Sequence, residues 1–286
     1  MRNLLPGLCL AVAASVCFNL AIVVQAGEAR ALSSELNLRL SLLRGLAGRP
    51  RWLAGLALSF LAVPAQTAAL LFAPLAVVQP ADAVGLVVLL IAGGRRFGER
   101  AAPRDLMGVL GIALGVSAVV AGAPARGTHH DIGILIAVLG PLGVLSAAPL
   151  VFPVLRRRSI AGVLAAGLAF ALGTFTLKLV ADALDSHDWA GAAAWALAGA
   201  TIAIGGTTSE MSALQVRPLA RVAPLIFAIE LLVPIALGVL IGGDSWSGDP
   251  GRLLLGLGGL ALTLVGAFLL LRSPAVTTLL KAPSDA

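Results

Sequence analysis

Long apolar stretches separated by short polar segments run along most of the chain. A helix needs about 20 mostly apolar residues to cross the hydrocarbon layer of a bilayer, and nine stretches come close to that length or exceed it. The pattern therefore predicts an all-α, polytopic membrane bundle of nine transmembrane helices. The predicted spans are residues 4–26, 53–72, 75–93, 106–123, 132–152, 160–181, 189–214, 219–241 and 253–271.

Residues 27–52 form a polar, basic linker after the first span, and residues 28–48 within it allow two interpretations. Four leucines recur there at helical spacing, namely Leu32, Leu36, Leu40 and Leu43. With charged residues between them, this pattern is typical of an amphipathic helix on the cytoplasmic membrane surface. The alternative is a short tenth span, which would move only the N-terminus to the cytoplasmic side.

The composition supports a membrane protein rather than a soluble one. Of the 286 residues, 59% are hydrophobic and 12% are charged, and the mean hydropathy is +0.99. A soluble domain has about a quarter of its residues charged. The chain is therefore predicted to be one integral membrane domain, residues 1–286, with a first half (1–123), a second half (132–271) and a cytoplasmic tail (272–286).

The basic residues predict which loops share a side of the membrane. If nine spans alternate in direction, 16 of the 20 Lys and Arg residues fall on one face. By the positive-inside rule that face is cytoplasmic, so the C-terminus is expected inside and the N-terminus outside the cytoplasmic membrane. The opposite face collects aspartates, namely Asp131, Asp182, Asp185, Asp188, Asp244 and Asp249. Because the basic residues lie in short loops rather than on one soluble face, no nucleic-acid partner is expected.

One sequence signature occurs twice. ALLFAPLAVVQP fills residues 69–80, and ALQVRPLARVAP fills residues 213–224, 144 positions later. The predicted helix before Pro74 runs outward and the predicted helix before Pro218 runs inward, so the second copy is inverted. Inverted repeats are typical of transporters, in which two like halves expose a central site to each side in turn.

These signatures, together with GRRFGERAAPRDLMGVLGIALG at residues 94–115, resemble the drug/metabolite transporter superfamily of EamA-like proteins. The layout of one first span, a basic linker and then FAP is similar to the NIPA-type magnesium transporter branch. NIPA-like proteins carry an acidic residue about three positions before an amide in the second span, where this chain has Val63 and Gln66. The resemblance implies a secondary transporter of a small solute or ion, with magnesium or another divalent cation as the alternative substrate.

Polar residues inside the predicted spans are candidates for a binding site, because a charge in hydrocarbon needs a partner, a proton or a cavity. Glu230 lies near the middle of the eighth predicted span, and Pro234 follows four residues later. Since proline has no N–H, the Glu230 carbonyl loses its helical partner. A carboxyl group and a free carbonyl are therefore predicted at one depth, and Glu230 is the leading candidate for binding substrate or a proton.

Other candidates are placed by the repeat and by helical spacing. Gln66 and Glu210 occupy equivalent positions in the helices before the two turns. Gln79 and Asp82 are three residues apart and so share a face of the third predicted span. The remaining residues predicted to bind substrate or a proton are Thr207, Thr208 and Asn19.

A divalent-cation carrier would use carboxylates and retained waters, and Glu230, Glu210 and Asp82 are predicted for that role. The sequence has no phosphate-binding Gly-x4-Gly-Lys-Ser/Thr loop and no long loop that could hold a catalytic domain. Neither an enzyme nor a cofactor is therefore expected. The expected partners are a small-molecule or ion substrate and the lipid bilayer.

Small residues and one intramembrane lysine predict further contacts between and within helices. Gly108, Gly111 and Gly115 form a stripe that favours close helix packing and also allows a homodimer. Lys178 precedes Asp182 by four residues, which predicts a local ion pair. A membrane scaffold without transport activity remains an alternative function.

Overall fold

The structure is a computed structural model, and it describes residues 4–30, 32, 41–88, 91, 102–128, 131–152, 159–216, 219–246 and 249–273. Within those residues every regular element is a helix, and one isolated antiparallel bridge pairs Ala125 with Ser245. The helices are α1 Leu4–Arg30, α2 Ser41–Ala47, α3 Pro50–Phe72, α4 Leu75–Ala81, α5 Pro103–Ala121, α6 Ile132–Val151, α7 Ser159–Asp185, α8 Trp189–Val216, α9 Leu219–Leu240 and α10 Pro250–Leu271.

Seven helices are long and apolar enough to cross a membrane, and they are α1, α3, α5, α6, α7, α8 and α10. They coincide with seven of the predicted spans. The third and eighth predicted spans contain two shorter apolar helices, Leu75–Val88 and Leu225–Leu240. The prediction of a multi-pass helical membrane protein is therefore confirmed, and the full-length spans number seven among the described residues.

Large apolar side chains cover the outside of the bundle. Phe60, Val144, Leu197 and Leu254 are each at least 68% exposed. In water such a surface would be unfavourable, whereas lipid tails are a good solvent for it. The helices α6 and α8 contribute the least buried spans, and α7 lies deepest within the bundle.

Several loops meet at one end of the bundle, which we call the aspartate end (described residues 72–75, 121–128, 131, 182–189, 241–246 and 249–250). A Cβ on Gly7 in α1 would contact Ala73, and a Cβ on Gly238 in α9 would contact Leu75. The Ala125–Ser245 bridge joins the loops that follow α5 and α9. All of these segments were predicted to share the aspartate-rich face, so their common location agrees with alternation of the spans.

The helices α5 and α10 pack antiparallel with almost no side-chain layer between them. A Cβ on Gly115 would lie 2.6 Å from the Thr263 nitrogen and 2.7 Å from the Gly259 oxygen. A Cβ on Gly108 would similarly lie 3.0 Å from the Gly266 oxygen. The glycine stripe of α5 is thus used for packing inside the chain, and it is not a free surface for a homodimer.

The described part of the basic linker is mostly helical. Helix α2 inserts Leu42 and Leu46, which are both fully buried, into a core that includes Trp52 and Met211. Glu28 at the end of α1 forms an ion pair with Arg49 at 2.8 Å. Nine of the 21 residues for which an interfacial helix or a tenth span was predicted, residues 31 and 33–40, lie outside the described residues.

Candidate functional site

The third predicted span is interrupted, and this break positions the candidate site. Helix α4 ends at Ala81, Asp82 and Ala83 form a turn, and the helix resumes over residues 84–88. Pro80 has no N–H to donate, and the next amides bond three residues back, from Asp82 to the Gln79 carbonyl at 3.1 Å. A continuous span over residues 75–93 was predicted, and that prediction was wrong because Pro80 stops the regular hydrogen-bond ladder here.

Helix α1 satisfies the backbone groups that the break exposes. The Ser15 hydroxyl donates to the Asp82 carbonyl at 2.6 Å, and its oxygen accepts from the Gly85 N–H at 3.1 Å. A Cβ at Gly85 would collide with Ser15 and with Asn19, so the close approach of α1 requires glycine at this position. Ser15 was not among the predicted residues, although it lies four residues before Asn19 on the same helical face.

Two glutamines hold the broken helix against its neighbours. Gln79 is 1% exposed, and its amide nitrogen donates to the main-chain carbonyl of Glu230 in α9. Gln66 in α3 is 2% exposed, and its amide nitrogen donates to the Asp82 carboxyl group at 3.4 Å. The predicted free carbonyl of Glu230 is therefore used, and its donor comes from the other half of the chain.

Two carboxyl groups, those of Asp82 and Glu210, lie within the range of charge interaction with Glu230. Glu230 is half-buried, whereas Glu210 in α8 is 6% exposed. The Glu230 carboxyl lies near enough to Asp82 and to Glu210 for their charges to interact. In a low-dielectric interior such repulsion is relieved by a proton or a bound cation. Among the described residues, however, no three His, Cys, Asp or Glu side chains are grouped closely enough to hold a metal ion.

Two hydrogen bonds and two charge interactions thus link five of the predicted residues, which are Gln66, Gln79, Asp82, Glu210 and Glu230. The other three predicted residues are Asn19, Thr207 and Thr208. Asn19 donates to the Ser15 carbonyl at 2.9 Å, and buried Thr208 donates to the Ile204 carbonyl at 2.8 Å. Thr207 is half-buried.

A second polar network is buried at the aspartate end. The Lys178 ammonium group is 1% exposed and donates to the Gly127 carbonyl at 2.7 Å and to Asp182 at 3.0 Å. It also forms an ion pair with Asp244 at 3.3 Å. The predicted Lys178–Asp182 pair is confirmed, while Asp244 was missed as a partner because sequence spacing does not show which loop covers a helix end.

Further contacts extend this network across the two loops. Arg126 forms an ion pair with Asp182 and another with Asp185 at 3.4 Å. The Gly127 N–H donates to Asp244 at 3.0 Å. Burial raises the pKa of the Asp244 carboxyl group, and the nearby Lys178 ammonium and Gly127 N–H oppose that rise. The network therefore ties the end of α7 to the loops after α5 and α9.

A groove of about 420 Å³ also opens at the aspartate end. Its lining includes Leu4, Phe72, Pro74, Arg126, Trp246 and Arg252. None of the five clustered residues lines it, so the groove and the polar cluster are separate features. The cluster is the better candidate site, because it holds buried carboxyl and amide groups that apolar packing does not explain.

No family model, curated protein or solved structure matches this chain.

Proposed function

We propose that the protein is a secondary transporter of the drug/metabolite transporter superfamily, EamA-like. In this proposal it carries a small solute or ion across the cytoplasmic membrane by alternating access of two inverted repeats. The observation that supports it most strongly is the helix break after α4, where Asp82 bonds to Gln66 and Gln79 of α4 bonds to Glu230. In membrane proteins, interrupted helices with polar groups at the break are typical of substrate and ion sites.

The buried polar groups argue against a purely structural role for this region. A buried hydrogen-bond acceptor without a donor costs about 1–3 kcal/mol. In this cluster, one side-chain oxygen each of Gln66, Gln79 and Asp82 has no donor among the described residues. A scaffold could place apolar residues there at no such cost. A ligand or a proton that satisfies these oxygens offsets the penalty, so the arrangement fits a binding site.

The orientation follows from the charges and is part of the proposal. The positive-inside rule would place the aspartate end outside and the Arg49 end inside. The Lys178 network then closes the external end. Outward opening would require the loops containing Gly127 and Asp244 to separate from α7.

The test is transport by the purified protein in liposomes. Compounds would first be screened for thermal stabilisation of the folded protein, because binding to the native state raises its stability. Stabilising compounds would then be assayed for uptake into proteoliposomes. Glu230→Gln should reduce uptake at least tenfold without loss of folding, whereas Glu28→Gln, which removes a carboxylate from the Arg49 pair, should transport normally. Absence of uptake above protein-free liposomes for every stabilising compound would favour the scaffold.

A divalent-cation carrier is a second candidate, and the approach of Asp82 and Glu210 to Glu230 is the observation that favours it. Magnesium keeps several waters and is bound through few carboxylates, so wider spacing than a direct ligand set is compatible with it. Magnesium uptake into vesicles loaded with a magnesium-sensitive dye tests this candidate. A flux that Glu230→Gln abolishes supports it, and no flux excludes it.

A further inference from the structure

The amide orientations of Gln66 and Gln79 are fixed by chemistry. The partner of Gln79 is the Glu230 carbonyl and the partner of Gln66 is the Asp82 carboxyl group. A carbonyl oxygen and the oxygens of an ionised Asp82 carboxylate only accept hydrogen bonds, so each glutamine directs its NH2 group toward its partner. Each amide oxygen consequently points away from that bond.

Three acceptor oxygens remain without a donor as a result. They are Oε1 of Gln66, Oε1 of Gln79 and Oδ1 of Asp82, and none has a hydrogen-bond partner among the described residues. The three side chains belong to one region of the fold, because Gln66 bonds to Asp82, and Gln79 is three residues from Asp82 at the helix break. Both glutamine side chains are at least 98% buried. Water from the bulk therefore does not satisfy these oxygens.

We propose that Gln66, Gln79 and Asp82 form a subsite for the primary ammonium group of a substrate. A primary ammonium group carries three N–H donors and one positive charge. The subsite offers three orphan acceptors, two of them neutral and one belonging to a carboxylate. The ammonium group therefore matches the subsite both in the number of hydrogen bonds and in charge.

Other ligand classes fit less well. An anion would meet only oxygen lone pairs, and a neutral donor would leave the Asp82 charge uncompensated. A quaternary ammonium ion carries the charge but has no N–H to satisfy the amide oxygens. Lys178 carries a primary ammonium group, but that group already bonds to Asp182, Asp244 and the Gly127 carbonyl at the aspartate end.

This inference rests on the proposed transport site, since it names the chemical class that the site recognises. The division of roles is that the Asp82 subsite holds the ammonium group, while the neighbouring Glu210 and Glu230 carboxyl groups remain available to a second group or to protons. A substrate of this kind is an amine with a polar or apolar remainder that extends toward Glu230.

The test is a binding measurement that needs no transport. Thermal unfolding of the purified protein would be followed by tryptophan fluorescence with butylammonium, ethylammonium and methylammonium chlorides at constant total chloride. Tetramethylammonium chloride is the control for charge without donors, and sodium chloride is the control for a metal ion. We expect a saturable stabilisation by primary ammonium ions only. Stabilisation by tetramethylammonium to the same extent, or by sodium alone, would overturn the proposal.

Variants locate the effect. Asp82→Asn keeps the shape of the side chain and should weaken the apparent affinity for butylammonium on the order of tenfold or more, because a charge-assisted hydrogen bond is lost. Gln66→Met keeps the volume, removes one acceptor and should weaken binding severalfold, so it serves if Asp82→Asn does not fold. Asp249→Asn, at an exposed helix N-terminus, is the matched control and should bind normally. Unchanged affinity in both Asp82→Asn and Gln66→Met would overturn the assignment.

The result is distinguishable from the transport test. Ammonium binding without uptake in liposomes would leave this subsite standing and remove the transport function. Uptake of a compound without an amino group, together with no stabilisation by primary ammonium ions, would support transport and overturn the ammonium subsite.

Discussion

The side-chain amide of Gln79 donates a hydrogen bond to the main-chain carbonyl of Glu230. Pro234, four residues further along α9, cannot supply the N–H that this carbonyl would accept in an uninterrupted helix. A bond between α4 and α9 therefore replaces a bond within α9, and it fastens the first half of the chain to the second next to the candidate site.

Replacing Gln79 by Leu should destabilise the protein by about 1–3 kcal/mol, because the Glu230 carbonyl then lies buried without a donor. The free energy of unfolding in mixed micelles measures the change. Pro234→Ala restores a helical N–H, so Gln79→Leu should cost clearly less in that background. Equal costs in the two backgrounds of the double-mutant cycle would show that the Gln79–Glu230 bond does not stabilise the fold.

Replacing Lys178 by Met should destabilise the aspartate end strongly. The ammonium group bonds to Asp182, Asp244 and Gly127, and removing one member of a buried ion pair costs about 3–5 kcal/mol. Thermal unfolding should show the loss, and the double variant with Asp244→Asn should recover part of it. The control is Arg272→Gln, which removes an exposed charge elsewhere and should change stability by about 0.5 kcal/mol or less.

Adding a methyl group at Gly115 should separate α5 from α10. A Cβ there would lie 2.6 Å from the Thr263 nitrogen, and such overpacking costs about 1–3 kcal/mol. Gly143→Ala in α6 is the matched control, because its Cβ would meet nothing within 4 Å. We expect Gly115→Ala to unfold at a lower denaturant concentration than the parent protein. Gly143→Ala should unfold at the same concentration as the parent. A Gly115→Ala variant as stable as Gly143→Ala would contradict the close helix contact.

The raised pKa of Asp244 predicts a pH dependence of stability. The native carboxyl group keeps its proton to a higher pH than the unfolded one, so the native state binds more protons between the two pKa values. The free energy of unfolding should therefore fall as pH rises from about 3.9, the ordinary aspartate value, through the raised native value. Asp244→Asn should flatten this part of the profile. The slope is the readout, because this variant also changes the partner of Lys178.

The apolar pattern predicted the seven membrane-length helices among the described residues. Alternation placed Pro74, Arg126 and Asp244 on one side of the membrane, and these residues do share one end of the bundle. An apolar run reports only that a segment avoids water, and the count of charges in a loop reports only its side. Both quantities are local, so they need no knowledge of which helices pack together.

The contacts within the site could be predicted only in part, because these sequence patterns are local. Pro234 predicted a free Glu230 carbonyl, but nothing in the sequence indicated that Gln79 would bond to it. Pro80 signalled the helix break, yet the apolar run continued past it and a continuous span was predicted. Ser15 and Asp244 contribute through contacts 70 and 66 residues away in the chain, to Gly85 and Lys178. Such partners depend on which helices pack together, and periodicity does not encode that choice.

The glycine contact between α5 and α10 has a mechanical consequence. Helix backbones in contact cannot slide past each other without first moving apart. We therefore expect α5 and α10 to move as one rigid unit, although they come from opposite halves of the chain. Any rocking motion must carry the two together. In the proposed transport cycle, the boundary between the moving parts would therefore not fall between α5 and α10.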